Sequence, residues 1–183
     1  MSLRLALLRR GMTASMRLSL LDELALVTAK GFGSPPPRWN GSSFEARLHE
    51  YARFTAGQAE ALLAKGDPGA LEAATARLRF GATELGARAR RQLGLKSTSD
   101  ALEALTVLYR EIGIEMSRAE PGKIMVHRCL FAGYFSEPVC RVVGALDEGI
   151  AAGLSDGGRL RFDERLTSGA ASCRAQLDAP GVR

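Results

Sequence analysis

Several residue types that would point to particular protein classes are scarce in this 183-residue chain. It has two histidines, three cysteines and only 6% aromatic residues. No apolar run approaches the roughly 18 residues of a membrane-spanning helix, so we expect no membrane partner. Three cysteines fit neither the even number nor the spacing of a secreted disulfide framework, which favours a reducing, cytoplasmic location.

The scarcity of aromatic residues also bears on nucleic-acid binding. The net charge is +5, but the basic residues are scattered among acidic ones, and neither a base-stacking motif nor a zinc-finger spacing occurs. A solvated surface without a nucleic-acid partner is the prediction. What the chain does have is length and apolar content: 46% hydrophobic residues are enough to bury the core of one domain.

Hydrophobic periodicity predicts a helical N-terminal part. Apolar residues three and four positions apart indicate an amphipathic helix over about 3–30, and three consecutive prolines at 35–37 end the pattern. We therefore divide the chain into 1–40, a helix with a Pro-rich linker, and 41–183, a single α+β domain. Residues 1–40 would pack on their own domain, on a second copy of the chain in a homo-oligomer, or on a partner enzyme.

The remaining helices and strands follow from caps, turns and a change of period. Three more helices are expected: 44–65 with Ser43 as cap, 69–93 ended by Gly94, and 100–112 with Ser99 as cap. After residue 112, two strands joined at Pro121–Gly122 precede a helix that begins at Ser136 and Pro138 and ends near Gly153, and a hairpin with its turn at Ser168–Gly169 follows. The predicted fold is α+β, with N-terminal helices packed on a β-β-α-β-β antiparallel sheet unit.

The reactive side chains are concentrated in residues 127–149. On a strand, His127 and Cys129 would point to the same face. Cys140 falls in the first turn of the next helix, where free N–H groups and the helix dipole lower the pKa of a thiol. Asp147 lies two turns further on the same face, and Gly144 between them leaves a gap. These positions predict a nucleophile and an acid–base group around one gap.

The third cysteine, Cys173, would reach the same place from the last strand. Two other interpretations stay open. Free cysteines are often small core residues, and Cys129, Cys140, Cys173 and His127 could supply a Cys₃His zinc site, although no short C-x₂₋₄-C pair is present. We predict no metal ion and no cofactor.

Taken in order, these residues resemble the L-2-amino-thiazoline-4-carboxylic acid hydrolase family. The matching positions are Cys129 and Phe131, then Cys140, Leu146 and Asp147, then Phe162, Leu166, Gly169 and Cys173. The resemblance covers about 112–178, extends loosely back to 44 and leaves 1–40 uncovered. It departs from the family at Ala170, where an acidic residue is common.

The resemblance implies hydrolytic opening of a small, amino-acid-derived heterocycle through its C–N or C–S bonds. Cys140 would attack the ring carbon, and Asp147 or His127 would move the proton. The expected catalytic residues are Cys140, Asp147, Cys173 and His127, and the expected substrate-binding residues are Cys129, Gly144 and Phe131. The alternatives are a relative recruited in secondary metabolism to form or rearrange such a ring with a partner enzyme, and a non-catalytic ligand-binding subunit.

Overall fold

A computed structural model describes residues 3–120 and 122–180. The helices are α1 (Leu3–Leu8), α2 (Ala14–Phe32), α3 (Phe44–Ala64), α4 (Pro68–Leu93), α5 (Thr98–Glu111) and α6 (Glu137–Ser155). The strands are β1 (Ile114–Glu120), β2 (Lys123–Cys129), β3 (Arg159–Glu164) and β4 (Cys173–Asp178). Short 3₁₀ turns follow β2 at Leu130–Gly133 and β3 at Leu166–Ser168. No described helix is both long and apolar enough to cross a bilayer.

The α+β architecture is confirmed. The four strands form one antiparallel sheet in the order β1-β2-β4-β3, and α6 connects its two hairpins. The second hairpin turns at Gly169, which has a φ of +86°. In the first hairpin Gly122 has a φ of +78°, whereas the predicted Pro121 lies outside the described residues. Positive φ angles suit glycine because it has no Cβ.

The prediction of a single helix over 3–30 is wrong, because the helix is interrupted between α1 and α2. Gly11 adopts a φ of +113°, and the Thr13 hydroxyl accepts the N–H of Met16 at 3.3 Å, which caps α2. A side-chain cap satisfies an N–H that would otherwise lack a partner, so Thr13 begins a new helix. The first turn of α5 also differs from the prediction. Ser97, not Ser99, caps it by accepting the N–H of Asp100 at 3.1 Å.

Residues 1–40 pack on their own chain where they are described. Leu5 and Leu21 are fully buried in the core that α3, α5 and the sheet share. The Pro-rich segment is held at its end, since the Trp39 indole N–H donates to Asp22 at 2.6 Å and the Gly41 N–H donates to Glu50 at 2.9 Å. Among the three surfaces proposed for residues 1–40, the described part therefore packs on its own domain. A homo-oligomer or partner enzyme at the outer face stays a prediction.

Helices α4 and α6 touch through their backbones. A Cβ at Gly153 would collide with the Thr83 carbonyl oxygen, and one at Gly86 with the Ile150 carbonyl oxygen. Gly149 meets the backbone of Arg79 in the same way. Only glycine allows two helices to approach this closely. The contact fixes α6, and with it one wall of the cavity described next.

Candidate functional site

A cavity of about 80 Å³ lies between α5, α6, the end of β2 and the turn after β3. It is several times larger than the space one water molecule needs. Most of its wall is apolar, and the polar or reactive side chains that line it are Tyr51, Tyr109, Cys129, Cys140, Asp147, Thr167 and Cys173. Phe131 and Gly144 also line it. All of the predicted site residues except His127 therefore meet at one cavity.

His127 lies outside this cavity, on the outer face of the sheet. Ile124 and Val126 are buried, so the alternation of side chains along β2 turns His127 outwards. It is exposed, with Nε2 2.7 Å from the Ser117 hydroxyl. In the β1–β2 pairing Glu115 faces Arg128 while Met116 faces Val126. This bulge breaks the alternation, so that Cys129 reaches the cavity although it is two residues from His127. The prediction that His127 shares a face with Cys129 is wrong, and its side chain is not placed to move a proton in the cavity.

Asp147 is the carboxyl group in the cavity wall. The Tyr109 hydroxyl donates a hydrogen bond of 2.6 Å to Asp147 Oδ1. Burial raises the pKa of Asp147 to about 6, opposed by the Tyr109 hydrogen bond and by the positive charge of Arg165. Burial also holds the pKa of Tyr109 well above its usual value, with the charge of Asp147 adding to the effect. A carboxyl with a pKa near 6 exchanges protons readily at neutral pH.

The three cysteines have different surroundings, and none is in a disulfide. Burial raises the pKa of Cys129 to about 12. Burial likewise raises the pKa of Cys173, whose Sγ accepts the Leu166 N–H at 3.3 Å. These two thiols therefore keep their protons at neutral pH. Cys140 stands on the first full turn of α6, where its N–H bonds to the Ser136 carbonyl at 2.9 Å and its Sγ accepts from Arg165 Nη1 at 3.6 Å.

Arg165 and Tyr109 are two site residues that the sequence patterns did not reveal, and Thr167 is a third. The Arg165 guanidinium stacks 4.2 Å from the centre of the Phe162 ring and lies over Gly144, where a Cβ would stand 3.1 Å from Nη2. The gap predicted at Gly144 thus holds a cation. The signal available was weak: Arg165 directly precedes the turn that the resemblance matches, and Tyr109 is a polar-ended residue on an apolar helix face.

The side chains of the zinc alternative do not come together. Across 3–120 and 122–180, no group of three or more His, Cys, Asp or Glu side chains is arranged to hold a metal ion. His127 is on the outer face of the sheet, so the Cys₃His set does not assemble.

Comparisons with protein-family models, with curated proteins and with solved structures give no match to this chain. The resemblance to the thiazoline-carboxylate hydrolases therefore stays a prediction.

Proposed function

We propose that the chain is a small-molecule hydrolase that opens an amino-acid-derived heterocycle at a C–N or C–S bond, with Cys140 as nucleophile. The observation that carries the proposal is the shared wall of α6. Cys140 and Asp147 both line the cavity from this helix, on either side of Gly144. A thiol next to a cation and a carboxyl that exchanges protons near neutral pH are the two groups that such a hydrolysis needs.

The reaction would run in two stages. Cys140 Sγ gives its proton to the Asp147 carboxylate and attacks the ring carbon that is double-bonded to nitrogen, which forms an S–C bond and moves the C=N π pair onto nitrogen. Nitrogen takes the proton from Asp147. A ring C–N or C–S bond then breaks with its electron pair on the departing nitrogen or sulfur, while the lone pair of a remaining nitrogen re-forms a double bond to the carbon. In the second stage water attacks the carbon held by Cys140, and one proton of that water goes to the Asp147 carboxylate and the other to the departed nitrogen or sulfur. The S–C bond to the enzyme breaks with its electron pair on Sγ, which recovers a proton from Asp147.

The surroundings of the other polar groups favour this division of roles. Cys129 and Cys173 have raised pKa values because of burial, so they act as wall residues in the proposal. Tyr109 keeps its proton and donates a hydrogen bond to Asp147, which holds the carboxyl in one orientation. Cys173 was predicted to be catalytic, and we now propose that it supports the turn at Leu166 instead.

Alanine at Cys140 tests the nucleophile. We expect Cys140→Ala to reduce the turnover of 2-amino-thiazoline-4-carboxylate by at least about a thousandfold, because the covalent stage is lost. Cys129→Ala is the matched control: it removes a thiol from the same cavity but should retain most of the turnover. The measurements are thiol release and the mass of the trapped covalent enzyme. Equal activity in the wild type and Cys140→Ala would remove Cys140 from the mechanism.

A ligand-binding protein without catalysis is the second candidate. The mostly apolar wall and the protonated state of Cys129 and Tyr109 favour it. The same assay distinguishes the two, since binding of the heterocycle without turnover in either direction of the reaction supports the non-catalytic function. A ring-forming relative would instead consume the thiol product and yield the heterocycle.

A further inference from the structure

The Arg165 guanidinium has no carboxylate at salt-bridge distance within the described part of the chain, although its charge acts on Asp147 from further away. Its contacts are a sulfur, Cys140 Sγ, and an aromatic ring, Phe162. Neighbouring arginines on the same sheet are paired: Arg161 with Asp178 at 3.0 Å and Arg174 with Glu164 at 3.3 Å. A guanidinium offers five N–H donors. Most of the donors of Arg165 therefore remain for a ligand.

Thr167 provides a second unsatisfied group, two residues along the chain from Arg165. It lines the cavity, and its hydroxyl oxygen is buried without a hydrogen-bond partner. A buried hydroxyl that lacks a partner destabilises the fold, and a ligand that accepts its hydrogen bond would remove that cost. Arg165 and Thr167 flank Leu166, whose N–H is bonded to Cys173. The bond holds the turn that presents both side chains.

The charges outside the cavity also favour an anion at Arg165. Asp147 in the cavity wall can carry a negative charge, which disfavours an anion beside it. The anion would therefore be held at the edge of the cavity, against Arg165. Arg165 also lines a concavity on the outer surface, together with Arg79, Glu148, Arg159, Arg161 and Asp163. Arg79 is paired with Glu148 and Arg161 with Asp178. Arg159 and Arg165 against Asp163 leave an excess of positive charge, which attracts anions towards this side of the protein.

We propose that Arg165 and Thr167 form an anion subsite that takes the carboxylate of the substrate and holds its electrophilic carbon against Cys140. Two parallel N–H donors of an arginine match the two oxygens of a carboxylate, and the Thr167 hydroxyl donates to one of them. Only the description of the ligand as a substrate rests on the proposed function, since the binding of an anion is argued from Arg165 and Thr167 themselves. It narrows the ligand class to small carboxylates whose electrophilic carbon lies within a few bonds of the carboxylate.

Alkylation of Cys140 measures the subsite without requiring turnover. Iodoacetate and iodoacetamide react alike: Sγ attacks the CH₂ carbon, the S–C bond forms, and iodide leaves with the electron pair of the C–I bond. The two reagents differ in charge, so the ratio of their rates at Cys140 reports on anion recognition. A change in the nucleophilicity of the sulfur affects both rates and cancels in the ratio. Peptide mass spectrometry assigns the label to Cys140 rather than to Cys129 or Cys173.

We expect the iodoacetate-to-iodoacetamide ratio at Cys140 to exceed that of free glutathione by about tenfold or more, the effect of one charge-assisted hydrogen bond. Arg165→Gln should return the ratio to the glutathione value, Arg165→Lys should retain part of it, and Thr167→Val should lower it by about threefold. Arg161→Gln is the matched control, because it removes a nearby charge that does not contact Cys140, and its ratio should change less than about twofold.

A wild-type ratio equal to that of glutathione would overturn the proposal, as would equal ratios in wild type and Arg165→Gln or an absence of label at Cys140 with both reagents. Thermal unfolding shows whether each variant is folded. If Arg165→Gln does not fold, the ratio in Arg165→Lys is compared with the wild-type ratio instead. The outcome is independent of hydrolysis. A high, Arg165-dependent ratio without turnover of any thiazoline would reject the proposed function and leave the subsite standing.

Discussion

Asparagine in place of Asp147 should change the way in which stability depends on pH. The folded pKa of about 6 lies above the ordinary value of 3.8 because the carboxyl is buried. Between these values the folded protein holds a proton that the unfolded chain has released. The stability that this group contributes is therefore fully present below about pH 3.8 and is lost as the pH rises through 6. Asparagine cannot ionise, so the variant does not have this loss.

The gap between 3.8 and about 6 corresponds to about 3 kcal/mol, since a tenfold change in proton affinity is about 1.4 kcal/mol. About 2 kcal/mol of it should develop between pH 4 and pH 7. The asparagine side chain of the Asp147→Asn variant also alters the hydrogen bond from Tyr109, but that difference is the same at every pH. The quantity to follow is therefore the change with pH of the difference between Asp147→Asn and wild type.

Urea unfolding followed by circular dichroism from pH 4 to pH 7.5 measures this difference. We expect Asp147→Asn to gain about 2 kcal/mol on wild type over that range, while thiazoline turnover is lost. The control is Asp163→Asn, the same substitution at an exposed carboxyl of β3, which should shift the difference far less. A difference that stays constant with pH would mean that water reaches the Asp147 carboxyl freely, and the acid–base role would lose its basis.

Two further predictions concern the surroundings of the cavity. Tyr109→Phe removes the hydrogen bond that lowers the pKa of Asp147, so that pKa should rise above 6 in a ¹³C NMR titration of the carboxyl. The free energy of unfolding should fall by about 1–3 kcal/mol at pH 7. An unchanged titration would contradict the hydrogen bond. Gly153→Ala should destabilise by about 1–3 kcal/mol because its Cβ meets the α4 backbone. Gly57→Ala in α3, where a Cβ meets nothing within 4 Å, should instead stabilise the protein by up to about 1 kcal/mol. Thermal melts measure both variants, and equal effects at the two glycines would refute the close contact.

Features encoded by short-range patterns were predictable from the sequence. The period changed at residue 112, where β1 soon begins, and Ser43 and Gly94 cap the helices they were expected to cap. The α+β class follows from these local signals. The break before Thr13 was not predicted because the apolar spacing in 3–30 is continuous. A capping threonine two residues after Gly11 nevertheless ends one helix and begins the next.

The site was predictable only where helical spacing alone brings residues together. Cys140, Gly144 and Asp147 share a face of α6 by arithmetic, and they line the cavity. Tyr109 reaches Asp147 from another helix, and Arg165 reaches Cys140 from the turn after β3. Such pairings depend on tertiary packing that no spacing encodes. The prediction that His127 and Cys129 share a face was wrong for a related reason, because a bulge depends on how two strands pair.

The glycine contact between α4 and α6 also bears on how this cavity can acquire new specificities. At Gly86 and Gly153 main-chain atoms face main-chain atoms, so the closest approach of the two helices is set by the backbone rather than by a side chain. Cys140 and Asp147 project from α6 into the cavity and so keep their separation while other residues vary. A library aimed at new ligands would therefore vary Phe135, Val143 and Leu166, cavity residues outside this contact, and preserve the glycines.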